Sequence, residues 1–299
     1  MKRSRLSRLL ALALTLVMLL GTFCVTSYAT DDYREIFPEI DFSRRPDWAE
    51  ISVSIESGDN TLRGYLTAPN DIDGKIPVAI LLHGLGTDHS WCDDIAWKLA
   101  DNGIASVRFD FNGTGMSDGA QEDMTITSEV QDTIAMLDYV QSLKFTDLDN
   151  IFFIGKSMGA VDATLAAYER QDEVKAMVLW YPGFSVVDST RHGFLLGEFF
   201  DPADPPETLT AGWYTYGRDF ITEAQELDYK TACRAYKNPV LILHGDQDFI
   251  TPLFFSFETE KLFPDCELKV MPGGNHGFFG FLEMVALDEM MNFLNEQID

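Results

Sequence analysis

An α/β architecture, with a mostly parallel central sheet, helices on both of its faces and a small inserted cap, is the fold this sequence predicts. Three observations predict it. Short, nearly continuous apolar runs recur along the chain, as strands buried on both faces require. Helical patterns alternate with them, which implies parallel strands joined by right-handed crossovers. One long segment, 183–237, interrupts that alternation.

The chain begins MKRSRLSR and continues LLALALTLVMLLGTFCVTSYAT, a basic patch, an apolar stretch and small residues ending at Ala29. This is the layout of a secretory signal peptide, residues 1–29, with Ser27 and Ala29 as the small residues at the cleavage site. Export to the periplasm or the medium is expected. An uncleaved segment would anchor the protein, because the apolar run approaches the ~20 residues that span a bilayer. Phe23 is too bulky for the small residue that a lipoprotein site at Cys24 wants. The remainder, 30–299, suits a single domain with an insertion, and 46% hydrophobic residues supply its core.

Two alternating stretches, ISVSIES from Ile51 and TLRGYLTAP from Thr61, read as antiparallel strands joined at Gly58, Asp59 and Asn60. The buried runs follow: IPVAILLHG from Ile76, IASVRFDF from Ile104, IFFIG from Ile151, VKAMVLWYP from Val174, PVLILHG from Pro239 and ELKVMPGG from Glu267. Helices are expected at 93–102, stopped by Gly103, at 125–143, after the elbow described below, and at 254–263, stopped by Pro264. Segment 183–237 is far longer than an ordinary connection and rich in Pro, acids and aromatics, so it reads as the cap.

Removing Lys2, Arg3, Arg5 and Arg8 with the signal takes the formal charge from -26 to -30. Such a surface repels nucleic acid and anionic membranes, and it is otherwise a solvated exterior. Cys92, Cys233 and Cys266 remain, an odd number, so a disulfide framework is not what holds the fold together. A Cys233–Cys266 bridge is one open pairing. No CxxC pair suggests zinc, and no ligand joins Asp246 and Asp248 at metal spacing.

The chemistry centres on IFFIGKSMGA, residues 151–160. A buried strand entering a helix through Gly-Lys-Ser-Met-Gly is a nucleophile elbow, which projects the Ser157 hydroxyl from a strained turn. Gly155 and Gly159 are required because a Cβ at either place would meet neighbouring backbone. A serine hydroxyl needs a base, and the base needs a group that fixes its tautomer. Behind such an elbow the order is Ser, acid, His. Of five histidines, His83 and His89 precede Ser157, His192 lies in the cap, and His244 sits inside a strand end as a packed core residue. His276, on the glycine loop MPGGNHGFFG beyond the last strand, is the expected base. The acid lies in HGDQDFITP: Asp248 is favoured, with Asp246 expected to cap the turn by bonding its own backbone. Two backbone donors are expected to hold the oxyanion, Met158 after the nucleophile and Leu85 in HGLG.

HGLGTD, DFNGTGMSDG, GKSMGA, HGDQDFITP and GGNHGF, in that order, resemble the α/β-hydrolase superfamily from about Ile76 onward. The stretch from Ala211 to Asp248 is similar to the bacterial feruloyl and cinnamoyl esterases. That resemblance implies an exported serine esterase with the Ser157, Asp248, His276 triad and no cofactor. It implies a cap over the acyl pocket and an acid, Asp188, meeting the phenolic hydroxyl of a hydroxycinnamoyl ester such as those carried on plant polysaccharide. Aromatics from Trp180 to Tyr216 suit a planar acyl group. Three alternatives stay open: a carboxylesterase or acylglycerol lipase, a serine aminopeptidase using Asp201, Asp204 or Glu207 for the substrate ammonium, and a catalytically silent binding module.

Overall fold

In the computed structural model, which describes residues 47–298, the apolar runs become strands in the expected sequence. The first six are β1 (Trp48–Ser57), β2 (Asn60–Pro69), β3 (Ile76–Leu82), β4 (Ala105–Phe109), β5 (Thr146–Lys156) and β6 (Ala176–Trp180). Four short strands belong to the insertion, β7 (Phe194–Leu195), β8 (Glu198–Phe199), β9 (Thr208–Ala211) and β10 (Tyr214–Gly217), and the core closes with β11 (Val240–Gly245) and β12 (Cys266–Met271). An 8-stranded sheet runs in the order β1-β2-β4-β3-β5-β6-β11-β12. The β1–β2 and β2–β4 pairings are antiparallel, and every pairing from β4 to β12 is parallel. The signal-peptide and Cys24 readings lie outside the described residues.

Alternation of side chains explains why these runs look apolar throughout. Val78, Ile80 and Leu82 of β3 join one core cluster, and Ala79 and Leu81 join the other. Strand β5 divides in the same way, Ile151 and Phe153 against Phe152 and Ile154. These two central strands therefore bury both faces, which a sheet with helices on both sides demands.

Those helices are α1 (Asp93–Ala100), α2 (Ile126–Ser142), α3 (Met158–Glu169), α4 (Phe184–Thr190), α5 (Arg218–Glu226), α6 (Tyr229–Ala235), α7 (Phe254–Glu260) and α8 (Phe281–Gln297). Helix α2 starts where a capping box forms: the Ser128 amide donates to Thr125 Oγ1 at 3.1 Å, and the Thr125 amide donates to Ser128 Oγ at 2.9 Å. Helix α8 is absent from the sequence reading, which sought helices between strands. Its Ala286, Leu287, Met290, Met291 and Leu294 nevertheless form a helical stripe that closes the second core cluster. Among the described residues, no helix is long and apolar enough to cross a membrane.

The insertion between β6 and β11 holds α4, two antiparallel hairpins, α5 and α6. It is tied to the core by polar contacts: the Thr127 amide donates to Glu223 at 2.8 Å, and the Thr215 amide donates to Gln121 at 2.7 Å. Cys92, Cys233 and Cys266 are all free thiols, so the Cys233–Cys266 bridge does not form. Burial pushes both thiols up, and neither is poised as the thiolate that disulfide formation requires.

Behind the sheet lies a buried acidic group, Glu129 and Asp132 on α2 and Asp162 on α3. Asp132 is served by Ser57 Oγ at 2.6 Å and the Asn112 amide at 2.8 Å, whereas both Asp162 oxygens and Glu129 Oε2 have no partner among the described residues. Burial, reinforced by the neighbouring carboxylates, holds Glu129 and Asp162 well above the usual carboxylate range, and burial pushes Asp132 up to about 6. A carboxyl whose pKa is raised on folding stabilises the protonated native state, so stability is lost as pH climbs from the unfolded value through the folded one. Asp162→Asn is therefore expected to raise the melting temperature at pH 8 by roughly 2–4 °C or more and to change it little at pH 4, as read by thermal melts.

Candidate active site

The chain leaves β3 towards β4 on one side and later returns to β5 on the other, so β3 and β5 are neighbours with outgoing connections that diverge. A crevice at the carboxyl ends of such strands is where open α/β sheets place ligands. His83, Gly84 and Leu85 follow β3 there, and Ser157 follows β5.

Ser157 has φ 54 and ψ -117, a conformation an L-residue adopts only when its surroundings impose it. They do so through both neighbouring glycines. A Cβ on Gly155 would lie 2.3 Å from the Gly159 carbonyl oxygen, and one on Gly159 would lie 2.4 Å from the carbonyl oxygens of both Leu82 and His83. The bend is further pinned because the Ser157 amide donates to Trp180 O at 3.0 Å and the Gly183 amide donates to Ser157 O at 2.7 Å. Helix α3 starts directly behind, so the Met158 N–H is one that the helix itself leaves unsatisfied. From the other side comes the β3 loop: a Cβ on Gly84 would sit 2.8 Å from Ser157 Cβ and 2.8 Å from the Trp91 ring. Leu85 follows in the same turn.

His276 and Asp248 are joined. The His276 Nδ1–H donates to Asp248 Oδ2 at 2.8 Å, which leaves Nε2 as the basic nitrogen. The imidazole rests on Tyr181, with ring centroids 4.6 Å apart, and on Trp91 at 6.1 Å. Trp91 thus touches the His276 ring and faces the Gly84–Ser157 contact, bringing the two halves of the site together. Asp248 Oδ1 accepts from the amides of Ile250 and Thr251, both at 2.9 Å, and Oδ2 accepts from Thr251 Oγ1 at 3.0 Å. Burial opposes its ionisation, but contacts with His244 and His276 and the Thr251 amide outweigh it and hold the carboxyl well below the usual range.

Asp248 takes on the local job that the sequence assigned to Asp246, in addition to holding His276. The own-backbone turn is made by Asp248, while exposed Asp246 accepts from the Gly273 amide at 2.7 Å and ties the acid loop to the His276 loop. His244 is a packed core residue: it is fully buried, Nδ1 lies 2.7 Å from Ser256 Oγ and Nε2 lies 2.7 Å from Thr251 O. His83, set aside because it precedes Ser157, has a structural part. The Phe111 amide donates to its Nε2 at 3.3 Å, so Nδ1–H donates to Gly84 O at 3.0 Å and fixes the loop carrying Leu85. Burial keeps this ring neutral by lowering its pKa. Trp91 and Thr251 were missed, and Tyr181 was named only among the aromatics suited to an acyl group, because contact with an imidazole leaves no mark in sequence spacing.

Among the described residues one His and two acids, Asp88, His89 and Asp110, bring ligand atoms within 4.8 Å of one another. Protein donors already occupy Asp110: the His89 amide at 2.7 Å on Oδ1 and the Met116 amide at 2.7 Å on Oδ2. The group reads as a turn lock, not a metal centre.

A cavity of about 1020 Å³ opens between the insertion and the loop after β11, lined by Asp188, Phe194, Tyr214, Tyr216, Phe249 and Phe255 among others. It reaches the site at Gly86, one residue past Leu85, while Ser157 and His276 stand outside its lining. Of the aromatics named from sequence, Trp180, Tyr181 and Phe184 are fully buried in the core, whereas Phe194, Trp213, Tyr214 and Tyr216 line the cavity. Asp188 faces the cavity with its Oδ1 2.5 Å from Arg191 NH1, and its Oδ2 accepts from the Tyr229 hydroxyl at 3.2 Å.

The family described as serine aminopeptidase, S33, matches residues 75–213. AB hydrolase superfamily protein YisY of Bacillus subtilis is 26% identical over 242 residues, spanning 70% of this chain and 88% of YisY. The mitochondrial palmitoyl-protein thioesterase ABHD10 of Rattus norvegicus is 23% identical over 252 residues, 79% of this chain and 76% of its own. Among solved structures, Est1E from Butyrivibrio proteoclasticus with ferulic acid bound superposes with a TM-score of 0.78 at 31% identity, covering 82% of this chain and 98% of Est1E. Identity at that level over almost the whole of a solved relative, with the same sheet beneath it, is common descent, and the chain belongs to the α/β-hydrolase superfamily as a hydrolase.

Proposed function

We propose that the protein is a serine esterase acting through an acyl-enzyme. The observations that carry this reading are a serine held on a strained elbow and a histidine whose Nδ1 is already committed to a carboxylate, with Trp91 packed between their two loops. Ser157 Oγ attacks the ester carbonyl while His276 Nε2 takes its proton. Asp248 holds the imidazole in the required tautomer and stabilises the imidazolium that forms. The N–H groups of Met158 and Leu85 receive the developing oxyanion. His276 then returns the proton to the leaving alcohol, and water repeats the sequence to release the acid. No step calls for a cofactor.

For the substrate, a hydroxycinnamoyl ester is the reading we favour. The solved relative at 31% identity carries ferulic acid, and aromatic rings from the insertion and the acid loop line the cavity. Asp188, on the cavity wall, is the acid a phenolic hydroxyl would meet, in competition with Arg191 and the Tyr229 hydroxyl that it holds now, and the insertion would serve as the cap over the acyl group. Export through cleavage after Ala29 would bring such an enzyme to plant polysaccharide. The aminopeptidase reading, favoured by the description of the matching family, needs an unpaired acid in the pocket. Asp201, Asp204 and Glu207 are not in the cavity lining, and Arg218 lies 3.1 Å from Asp204 and 3.4 Å from Glu207.

Methyl ferulate, p-nitrophenyl butyrate and an aminoacyl anilide, assayed side by side, separate these readings. Ferulate release at a kcat/KM above that for the butyrate is the expected result. Rapid anilide cleavage with no ferulate released would overturn it, and a wild-type protein that a fluorophosphonate probe does not label would point to a silent binding module.

A further inference from the structure

Thr251 follows Asp248 in the acid loop and is fully buried. Its amide donates to Asp248 Oδ1 at 2.9 Å, its carbonyl accepts from His244 Nε2–H at 2.7 Å, and Pro252 behind it biases the residue towards extended geometry. None of these constraints needs a hydroxyl. Valine would fill the same space with no polar atom to satisfy, so packing and backbone anchoring do not account for a threonine. The hydroxyl has a place of its own: Oγ1 lies 3.0 Å from Asp248 Oδ2, 3.2 Å from His276 Nδ1 and 3.3 Å from Tyr181 O. Of the two acceptors, the carboxylate oxygen is the nearer and the charged one, so it takes the hydroxyl proton.

That same oxygen stands between two imidazoles. Asp248 Oδ2 is 2.8 Å from His276 Nδ1 and 3.4 Å from His244 Nε2, so the acid has two rings within reach. Only one of them is of use to a serine. Both nitrogens of His244 are occupied, Nδ1 by Ser256 Oγ at 2.7 Å and Nε2 by Thr251 O, whereas the bond to Asp248 leaves His276 Nε2 to accept a proton. We propose that Thr251 is a positioning residue that assigns the Asp248 carboxylate to His276: its carbonyl engages the competing N–H of His244, and its hydroxyl holds Oδ2 at His276 Nδ1. This rests on the esterase reading of the triad. Without the hydroxyl, Oδ2 loses a donor while the Ile250 and Thr251 amides still hold Oδ1, so the carboxylate pivots towards His244 and the bond to His276 lengthens.

The test compares Thr251→Val, which keeps the shape and removes the hydroxyl, with Thr251→Ser, which keeps the hydroxyl. Two quantities are read: the downfield proton resonance of His276 Nδ1–H, assigned through its loss in His276→Gln, and kcat and KM for methyl ferulate and p-nitrophenyl butyrate. Thr251→Val is expected to move the resonance upfield and to lower kcat by about 10-fold to 100-fold with KM within about twofold, the loss that a hydrogen bond to a charged group supports. Thr251→Ser should leave the resonance in place and keep kcat within about threefold of the wild type. An unmoved resonance in folded Thr251→Val overturns the proposal, as does an equal loss of kcat in the two variants. Should Thr251→Val fail to fold, Thr251→Ala is held to the same outcomes. A wild type that cleaves neither ester sinks the esterase reading by itself, and the resonance then decides alone whether Thr251 holds the carboxylate at His276.

Discussion

Ser157→Ala is expected to lower kcat for ester hydrolysis by about 10⁴-fold to 10⁶-fold and to abolish fluorophosphonate labelling, with KM and melting temperature near those of the wild type. The reason is geometric. The hydroxyl is held by a backbone bend that glycines, not the serine side chain, enforce, so alanine keeps the bend and removes only the attacking atom. His276→Ala should cost a similar factor, and the double variant little more than either, because the residues act as one unit. Asp248→Asn should cost about 10⁴-fold. Its oxygen is the acceptor for His276 Nδ1–H, and an amide nitrogen in its place would reverse the tautomer. Comparison of initial rates for the four variants checks all of this, and a Ser157→Ala protein that retains even a tenth of the activity would remove the nucleophile assignment.

Gly159→Ala should be strongly destabilising. A Cβ there would stand 2.4 Å from two carbonyl oxygens at the end of β3 and 2.6 Å from a carbonyl carbon. All three are backbone atoms of a central strand and cannot turn aside, so α3 must separate from β3. A loss of about 3 kcal/mol or more is expected, which lowers the melting temperature of a domain this size by roughly 6–12 °C. Gly103→Ala is the contrast: its φ is +83 but nothing lies within 4 Å of the missing Cβ, so strain alone should cost only about 1 kcal/mol. Thermal melts of the two variants in one buffer decide the matter. Equal, small losses would mean that the elbow is not tightly packed against β3.

What the sequence made legible follows from how local the causes were. Buried parallel strands announce themselves as apolar runs, and all six were read, although β5 begins at Thr146, five residues before the run at Ile151, because TDLDN hides its first half. The elbow was legible because its glycines are demanded by backbone atoms within a few ångströms. Asp248 and His276 were legible through chain order. By contrast, the packing of Trp91, Tyr181 and Thr251 around His276 joins segments far apart in the chain, and no periodicity records it. The insertion was visible as an interruption, but its hairpins and helices are too short to leave a pattern. Phe249 and Ile250, in the loop read only for its acid, and Phe254 and Phe255, at the start of α7, lie on the cavity wall opposite the insertion.

The insertion leaves the sheet just after β6 and re-enters just before β11, and both stems are fastened. Gly183 is bonded to Ser157 O at 2.7 Å, and Asn238 Nδ2 donates to Val174 O at 2.8 Å. Leu85, Ser157, Met158, Asp248 and His276 all lie outside it. On the proposed reading, substitutions within the insertion can reshape most of the cavity without touching these five positions, and only the wall formed by Phe249, Ile250, Phe254 and Phe255 is shared with the stretch that carries Asp248.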